Sequence, residues 1–241
     1  PSHAIILGGG VIGSEFASAW KSFGSEVTIV EGLPHLVPNE DEIISKNLER
    51  AFRKRGIKFH LNTRFAGVTQ DEGGVHVSTE DGKTIDGDLL LVAIGRGPVT
   101  QDLGFEAIGV TLDRGFVITD DRCRTGVPGV YAVGDIVPGL QLAHRGFVQG
   151  IMVAEEIAGL NPEPVDENTI PRVTFTEPEI ASVGLTEAQA REQYGADKIK
   201  TVDYNLAGNG KSNILGTAGL IKLVGVEDGP IVGFHAIGSR V

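Results

Sequence analysis

A glycine-rich turn constrains this chain more than any other feature of its sequence. The turn reads GGGVIG at Gly8–Gly13 and follows the apolar run His3–Leu7, which predicts a buried strand. Apolar residues then recur at spacings of three and four, which predicts an amphipathic helix over Val11–Phe23. The side chains expected on the buried stripe of this helix are Ile12, Phe16, Ala19, Trp20 and Phe23. The β-branched run Glu26–Val30 then completes a βαβ unit with parallel strands.

Each glycine of such a turn has a separate expected task. Gly8 allows the tight turn, Gly10 lets a pyrophosphate approach the backbone, and Gly13 lets the helix pack closely on the strand. The phosphates then meet the free N–H groups of the helix N-terminus. Glu31 stands at the end of the second strand, where its carboxylate suits the ribose hydroxyls of NAD and repels the 2′-phosphate of NADP. The alternative is that the glycines only shape a turn and Glu31 only caps a strand.

The patterns that follow complete a first predicted domain, 1–96. A second helix is expected over Glu40–Arg55, with acidic residues in its first turn, where the helix dipole favours them. An antiparallel meander is expected between Ile57 and Ile85, and it includes the run IKFHL. The fully apolar run Leu89–Ile94 predicts a further strand.

Two more domains are expected after the first. The second, 97–163, contains a predicted strand, Val130–Val133, and a predicted helix from about His144 to Ala158. The third, 164–241, has five short strand patterns and one helix near Glu187–Tyr194, which is typical of an α+β domain. The fold class predicted for the whole chain is therefore α/β, followed by an α+β domain.

Composition excludes several classes of function. With 21 basic and 32 acidic residues the formal charge is −11, which argues against a nucleic-acid partner. The longest apolar runs are too short for a membrane span, and no secretion signal opens the sequence, so we expect a cytoplasmic protein. Cys123 is the single cysteine, so neither an intrachain disulfide nor a four-cysteine metal cluster is expected. We predict no metal site and interpret Cys123 as an unreactive residue.

A second motif lies at Thr125–Asp135 and reads TGVPGVYAVGD. An acidic side chain at the end of such an apolar run can accept hydrogen bonds from a polyol, and Gly134 permits a close approach of the ligand. Alone, this motif leaves open that Asp135 is only a helix N-cap.

Six motifs in this order resemble the flavin-dependent pyridine nucleotide–disulfide oxidoreductases, and most closely the dihydrolipoamide dehydrogenases among them. They are GGGVIGSE, Glu31, AIGRGP, TGVPGVYAVGD, LAH at Leu142–His144, and PEIASVGLTE at Pro178–Glu187. The resemblance implies a Rossmann-like NAD domain, a central domain that contacts FAD, and an interface domain for dimerisation. The segment RGFVQG after LAH departs from the more acidic pattern of many relatives, which leaves the subgroup open.

The resemblance also implies the site residues. Asp135 is assigned to the ribitol of FAD, and Gln141, Leu142, Ala143 and His144 to a helix start beside the flavin; a capping or core role for His144 remains the alternative. Glu15 is expected near the place where nicotinamide meets flavin. The residues expected around NAD are Gly8, Gly9, Gly10, Val11, Ile12, Gly13, Ser14, Glu15, Glu31, Phe65 and Gly95.

By the same resemblance, the parent enzyme oxidises dihydrolipoyl groups and reduces NAD through FAD. It is expected to be a homodimer that serves the lipoyl-bearing acyltransferase of a 2-oxo acid dehydrogenase complex. The family's CxxxxC disulfide and its acid–base His–Glu pair do not occur in this sequence. We therefore expect an internal part of a longer enzyme, with no catalytic residue of its own and no activity alone.

Three alternatives remain open. A soluble pyridine nucleotide transhydrogenase and another flavin disulfide reductase share the same motifs. A non-catalytic module that binds NAD or NADH belongs to a different class of function.

Overall fold

A computed structural model describes residues 1–241 of the chain. The chain forms two compact units: a larger unit, Pro1–Gly95 with Pro171–Val241, and a smaller unit, Arg96–Ile170. No helix in either unit is both long enough and apolar enough to cross a membrane.

The larger unit begins with alternating strands and helices, as the βαβ pattern predicts. Its first elements are β1 (His3–Leu7), α1 (Val11–Ser22), β2 (Glu26–Val30), α2 (Glu42–Arg55), β3 (Lys58–His60), β4 (Phe65–Asp71), β5 (Gly74–Thr79), β6 (Thr84–Gly87) and β7 (Leu89–Val92). Four of the strands form a parallel sheet in the order β3-β2-β1-β7. The buried strands are apolar because both faces of such a sheet are covered.

The predicted buried stripe of α1 is wrong. The buried residues of this helix are small, namely Gly13, Ser14, Ala17 and Ser18. Phe16 and Phe23 are 44% and 82% exposed, while Trp20 packs only partly against the core. A Cβ added to Gly13 would overlap the carbonyl oxygen of Gly8, so the helix lies too close to the strand for a large side chain.

The predicted meander is correct in kind, but it begins later than expected. The run IKFHL was expected in it, yet β3 is a parallel strand beside β2. The antiparallel sheet instead has the order β4-β5-β6, and its first strand was not predicted. Six of the seven residues of β4 are exposed and none is buried, so its sequence has no buried face to produce an alternating pattern.

A five-stranded antiparallel sheet completes the larger unit, in the order β10-β11-β14-β13-β12. Its elements are β10 (Arg172–Thr174), β11 (Glu179–Gly184), α4 (Glu187–Tyr194), β12 (Ile199–Asn205), α5 (Gly210–Leu215), β13 (Leu220–Val226) and β14 (Ile231–Gly238). Ile180 and Ile237 of this sheet belong to the same hydrophobic core as Ile44, Leu48 and Phe52 of α2. This shared core explains why the first and last parts of the chain form one unit.

The smaller unit contains a two-stranded sheet and one long helix. The strands are β8 (Leu112–Asp113) and β9 (Phe116–Val117), and the helix is α3 (Ala143–Ile157), one residue from its predicted bounds at each end. The predicted strand Val130–Val133 is wrong, because this segment makes only an isolated bridge between Arg124 and Tyr131. Its apolar side chains instead pack against a small core, which accounts for its strand-like composition.

Candidate functional site

Gly8 and Gly13, two of the four glycines of GGGVIG, are required by the fold itself. Gly8 has φ +100°, a conformation that favours glycine, and a Cβ there would overlap the carbonyl oxygen of Ala93. A Cβ added to Gly13 would overlap the carbonyl oxygen of Gly8 and lie 3.2 Å from Cγ2 of Ile6 in β1. A larger residue at either position would push the turn away from the sheet.

Gly10 differs from both, because nothing in the fold requires a glycine there. Its φ of −69° and ψ of −168° suit any L-residue, and a Cβ added to it would meet no atom within 4 Å. Gly10 is also the N-cap of α1, and no side chain caps this helix. The first N–H groups of a helix lack intrahelical acceptors and carry partial positive charge. The backbone of Gly10 without a side chain, the open space beside it and the N–H donors of the first turn of α1 together suit the pyrophosphate of a dinucleotide.

Glu31 lies at the carboxyl end of β2 and is only 8% exposed. One carboxylate oxygen accepts a hydrogen bond from the N–H of Gly9 at 2.5 Å, and the other accepts one from the N–H of Leu33 at 2.8 Å. A carboxylate has about four acceptor positions, so both oxygens retain capacity for ribose hydroxyls. Sequence reasoning placed Glu31 beside the glycine turn but missed that it is bonded to the turn.

The next two predicted residues make contacts of their own within the larger unit. The buried hydroxyl of Ser14 donates to the carbonyl oxygen of Gly9 at 3.1 Å. The carboxylate of Glu15 accepts a hydrogen bond from the N–H of Phe175 at 2.8 Å. This bond ties α1 to the segment that follows β10, and the expected role of Glu15 near the nicotinamide stays a prediction.

Two further residues predicted around NAD lie at element ends. Phe65 is the first residue of β4 and is 42% exposed. Gly95 is exposed, has φ +136° and has no atom within 4 Å of an added Cβ. No hydrogen bond of either residue connects it to the glycine turn, so their assignment to NAD stays a prediction.

The predicted FAD residues cluster around one turn of the smaller unit. Asp135 is exposed in a short 3-10 turn, Gly134–Ile136. The side-chain amide of Gln141 donates to the carbonyl oxygen of Asp135 at 3.3 Å. Leu142 is the N-cap of α3 without a side-chain cap, and Ala143 and His144 open the helix with exposed side chains. An exposed carboxylate beside an uncapped helix start suits a polyol and phosphate ligand.

Sequence reasoning missed two residues behind this turn, Arg145 and Gln149. Both are polar, yet both lie on the buried face of α3, where Met152 follows them. Positions four and seven residues apart on a helix share a face, so the sequence contained this signal.

Cys123 is buried, as its interpretation as an unreactive residue expects. Burial raises the pKa of its thiol, and the charge of Arg145 opposes this shift only in part. The flanking Arg122 and Arg124 both bond to Glu156 instead of the sulfur. No group of three or more His, Cys, Asp or Glu side chains is arranged to hold a metal ion.

Two family models together match almost the whole chain. Residues 1–150 match the pyridine nucleotide-disulphide oxidoreductase model, and residues 170–241 match the dimerisation domain of the same family. The first of these models covers the glycine turn, Glu31 and the Gly134–Ile136 turn.

Individual relatives and solved structures agree with the models. The chain is 41% identical to the dihydrolipoyl dehydrogenase of Bacillus subtilis, over 99% of its own length and 52% of that protein. It is 39% identical to the dihydrolipoyl dehydrogenase of Chlorobaculum tepidum, again over 99% of the chain and 52% of the relative. The crystal structure of LpdA from Mycobacterium tuberculosis matches 98% of the chain and 52% of that protein, with a TM-score of 0.90 and 33% identity. The flavoprotein disulfide reductase RclA of Escherichia coli matches 100% of the chain and 55% of that protein, with a TM-score of 0.91 and 33% identity.

The chain thus spans about half the length of the relatives it matches. The predicted fold class is confirmed, and the prediction of FAD and NAD as cofactors agrees with this family. On the strength of both family models and these relatives, the chain belongs to the pyridine nucleotide-disulphide oxidoreductases.

Proposed function

We propose that the chain forms the NAD-binding, central and interface parts of a dihydrolipoyl dehydrogenase, with domains at 1–96, 97–163 and 164–241. The parent enzyme oxidises the dithiol of a dihydrolipoyl group to its disulfide. In the same overall reaction NAD⁺ is reduced to NADH, and one proton is released. The relatives named dihydrolipoyl dehydrogenase support this activity over the alternatives.

The open backbone at Gly10 is the observation that carries the proposal. If the glycines only shaped a turn, Gly10 would have no reason to be glycine, because its conformation and surroundings accept a side chain. A pyrophosphate lying against this backbone supplies that reason. Glu31 is then the residue that receives the ribose, and its charge favours NAD over NADP.

FAD is assigned to the smaller unit, where Asp135 is the proposed partner of the ribitol, with Gln141–His144 beside the flavin. When bound, FAD supplies the two-electron redox chemistry that connects the dithiol to NAD. The chain has one cysteine, so it lacks a redox dithiol of its own, and we propose that these residues alone do not catalyse the reaction.

The proposed partners follow the family. The match to a dimerisation domain at 170–241 supports a homodimer. A lipoyl-bearing acyltransferase of a 2-oxo acid dehydrogenase complex is the proposed source of the dihydrolipoyl group. A cytoplasmic location stays a prediction.

The test is substrate selection by the full-length enzyme. We expect NADH to form when dihydrolipoamide and NAD⁺ are mixed with it. The similarity to RclA keeps a second candidate, a different flavin disulfide reductase, in the test. Oxidation of reduced nicotinamide by another disulfide, with dihydrolipoamide inert, would favour that candidate. Hydride exchange between two nicotinamide nucleotides without any thiol would instead favour a transhydrogenase.

A further inference from the structure

The backbone on both sides of the Gly134–Ile136 turn is held by buried side chains of α3. The side-chain oxygen of Gln149 accepts a hydrogen bond from the N–H of Gly134 at 2.8 Å. The guanidinium of Arg145 donates to the carbonyl oxygen of Gly134 at 3.2 Å and to that of Pro138 at 2.5 Å. The backbone N–H and the carbonyl oxygen of Gly134 are therefore both hydrogen-bonded to α3 side chains, and Asp135 is the next residue along the chain.

Arg145 is itself fixed from the opposite side. Its Nε lies 2.6 Å and 2.9 Å from the two carboxylate oxygens of Glu167, and Arg145 is only 2% exposed. One planar guanidinium thus joins a carboxylate to the first residue of the turn and to Pro138, two residues beyond the turn. Charge-assisted bonds in this fixed geometry are stronger and more directional than neutral ones.

Glycines make this arrangement possible. Gly134 has φ +76°, a conformation that favours glycine. A Cβ added to Gly146 of α3 would lie 3.4 Å from the Cα of Gly134, so the helix and the turn are in close contact. Gly139 has φ +121°, and a Cβ there would collide with the guanidinium of Arg145. These contacts fix the backbone of the turn, and with it the position from which the side chain of Asp135 extends.

We propose that Gln149 and Arg145, with Glu167 behind Arg145, are positioning residues that hold Asp135 in place for the ribitol of FAD. This inference rests on the proposed function, because it requires that Asp135 binds FAD. Neither residue needs to touch the cofactor. Each acts through the backbone of Gly134, and both belong to the segment RGFVQG.

The test compares substitutions at Gln149 in the full-length enzyme. Gln149→Leu removes the acceptor of the Gly134 N–H, whereas Gln149→Glu retains an acceptor oxygen at the same place. Met152→Ala is the matched control, because Met152 lies on the same buried face of α3 and is not bonded to the turn. Arg145→Met is a second test of the turn, although it also leaves Glu167 unpaired.

Two readouts are needed: the dissociation constant of FAD measured by reconstituting the apoenzyme, and the melting temperature of the apoenzyme. We expect Gln149→Leu to bind FAD about tenfold more weakly than Met152→Ala does at a comparable loss of thermal stability. Gln149→Glu should stay within about twofold of the wild type, because its acceptor is retained. Equal FAD affinities for Gln149→Leu and Met152→Ala would overturn the inference, since Gln149 would then only stabilise the fold.

Asp135→Ala separates this inference from the one on which it depends. If Asp135→Ala binds FAD as the wild type does, the assignment of Asp135 to the cofactor fails, and the positioning role fails with it. If Asp135→Ala weakens FAD binding but Gln149→Leu weakens it no more than Met152→Ala does, only the positioning role is wrong.

Discussion

The carboxylate of Glu31 accepts a hydrogen bond of 2.5 Å from the backbone N–H of Gly9, so the acidic residue that follows β2 is joined directly to the glycine turn. The side chain that we propose as the ribose ligand therefore also fixes the shape of the phosphate-binding turn. A substitution at Glu31 should change both the charge at the ribose and the order of the turn.

Replacing Glu31 tests its role in cofactor choice. We expect Glu31→Ala to weaken NADH binding by about 1–3 kcal/mol, because buried hydrogen bonds to a charged group are lost. It should also reduce the preference for NADH over NADPH, since the carboxylate that repels a 2′-phosphate is gone. Titration of the full-length enzyme with each nucleotide measures both effects.

Glu31→Gln is the control for this prediction. It keeps an acceptor for the Gly9 N–H but removes the negative charge, so it should lose selectivity more than it loses NADH affinity. A wild-type enzyme that binds NADPH as tightly as NADH would contradict the assignment of Glu31 to the ribose.

A buried ion cluster joins α2 to the five-stranded sheet and predicts a strong effect on stability. The ammonium of Lys222 lies 2.9 Å from Asp41 and 2.6 Å from Glu187, and Lys222 and Asp41 are 5% and 2% exposed. Lys222→Met leaves Asp41 buried without its cation, so we expect a loss of about 3–5 kcal/mol in the free energy of unfolding. Lys200→Met is the control, because Lys200 pairs with Glu227 on the surface and should contribute little.

The effect of Lys222→Met should also depend on pH. Burial alone would raise the pKa of Asp41, but hydrogen bonds from the Glu187 N–H and from Lys222 hold this pKa below its ordinary value. The hydrogen bond from Lys222 likewise lowers the pKa of Glu187. A carboxyl group with a lowered pKa stabilises the fold above its unfolded pKa and loses that contribution as the pH falls through its folded pKa. Unfolding measurements should therefore show the largest loss near neutral pH and a smaller one below about pH 4; an equal loss at both would contradict this account.

His76 of the antiparallel meander predicts a titration that is independent of the cofactor site. Its ring nitrogens lie 2.7 Å from Asp86 and 3.2 Å from Asp71. The hydrogen bond to Asp86, followed by the one to Asp71, raises the pKa of His76 above 6.5. Asp86→Asn should lower this pKa more than Asp71→Asn does, as measured by NMR of labelled histidine. A larger decrease of the His76 pKa in Asp71→Asn than in Asp86→Asn would contradict this prediction.

The elements around the glycine turn could be predicted because their patterns are local. The strands His3–Leu7 and Glu26–Val30 have the predicted bounds, since each is a buried apolar run beside a turn. The buried face of α1 could not be predicted from hydrophobicity. Close packing against the strand selects small residues there, and this places Phe16 on the exposed side.

Non-local pairing explains the other differences. Lys58–His60 pairs with β2 in parallel, and no short-range pattern distinguishes such a strand from one arm of a hairpin. The apolar segment Val130–Val133 meets no partner strand, so its composition alone was misleading. Arg145 and Gln149 were missed because each bonds to the backbone of Gly134, more than ten residues earlier in the chain.

The contrast between Gly10 and Gly13 separates a glycine required by a ligand from a glycine required by the fold. Gly13→Ala would force Cβ into the carbonyl oxygen of Gly8, so we expect it to lower both the melting temperature and NADH affinity. Gly10→Ala places its methyl group in open space, so it should change the free energy of unfolding by about 1 kcal/mol or less.

The most direct test of the dinucleotide site is therefore NADH titration of the Gly10→Ala enzyme beside a measurement of its melting temperature. We predict affinity at least about tenfold weaker than that of the wild type, with the melting temperature nearly unchanged, because the methyl group occupies the place of the pyrophosphate. Wild-type affinity in Gly10→Ala would contradict the account, since it would mean that no pyrophosphate lies against the backbone of Gly10.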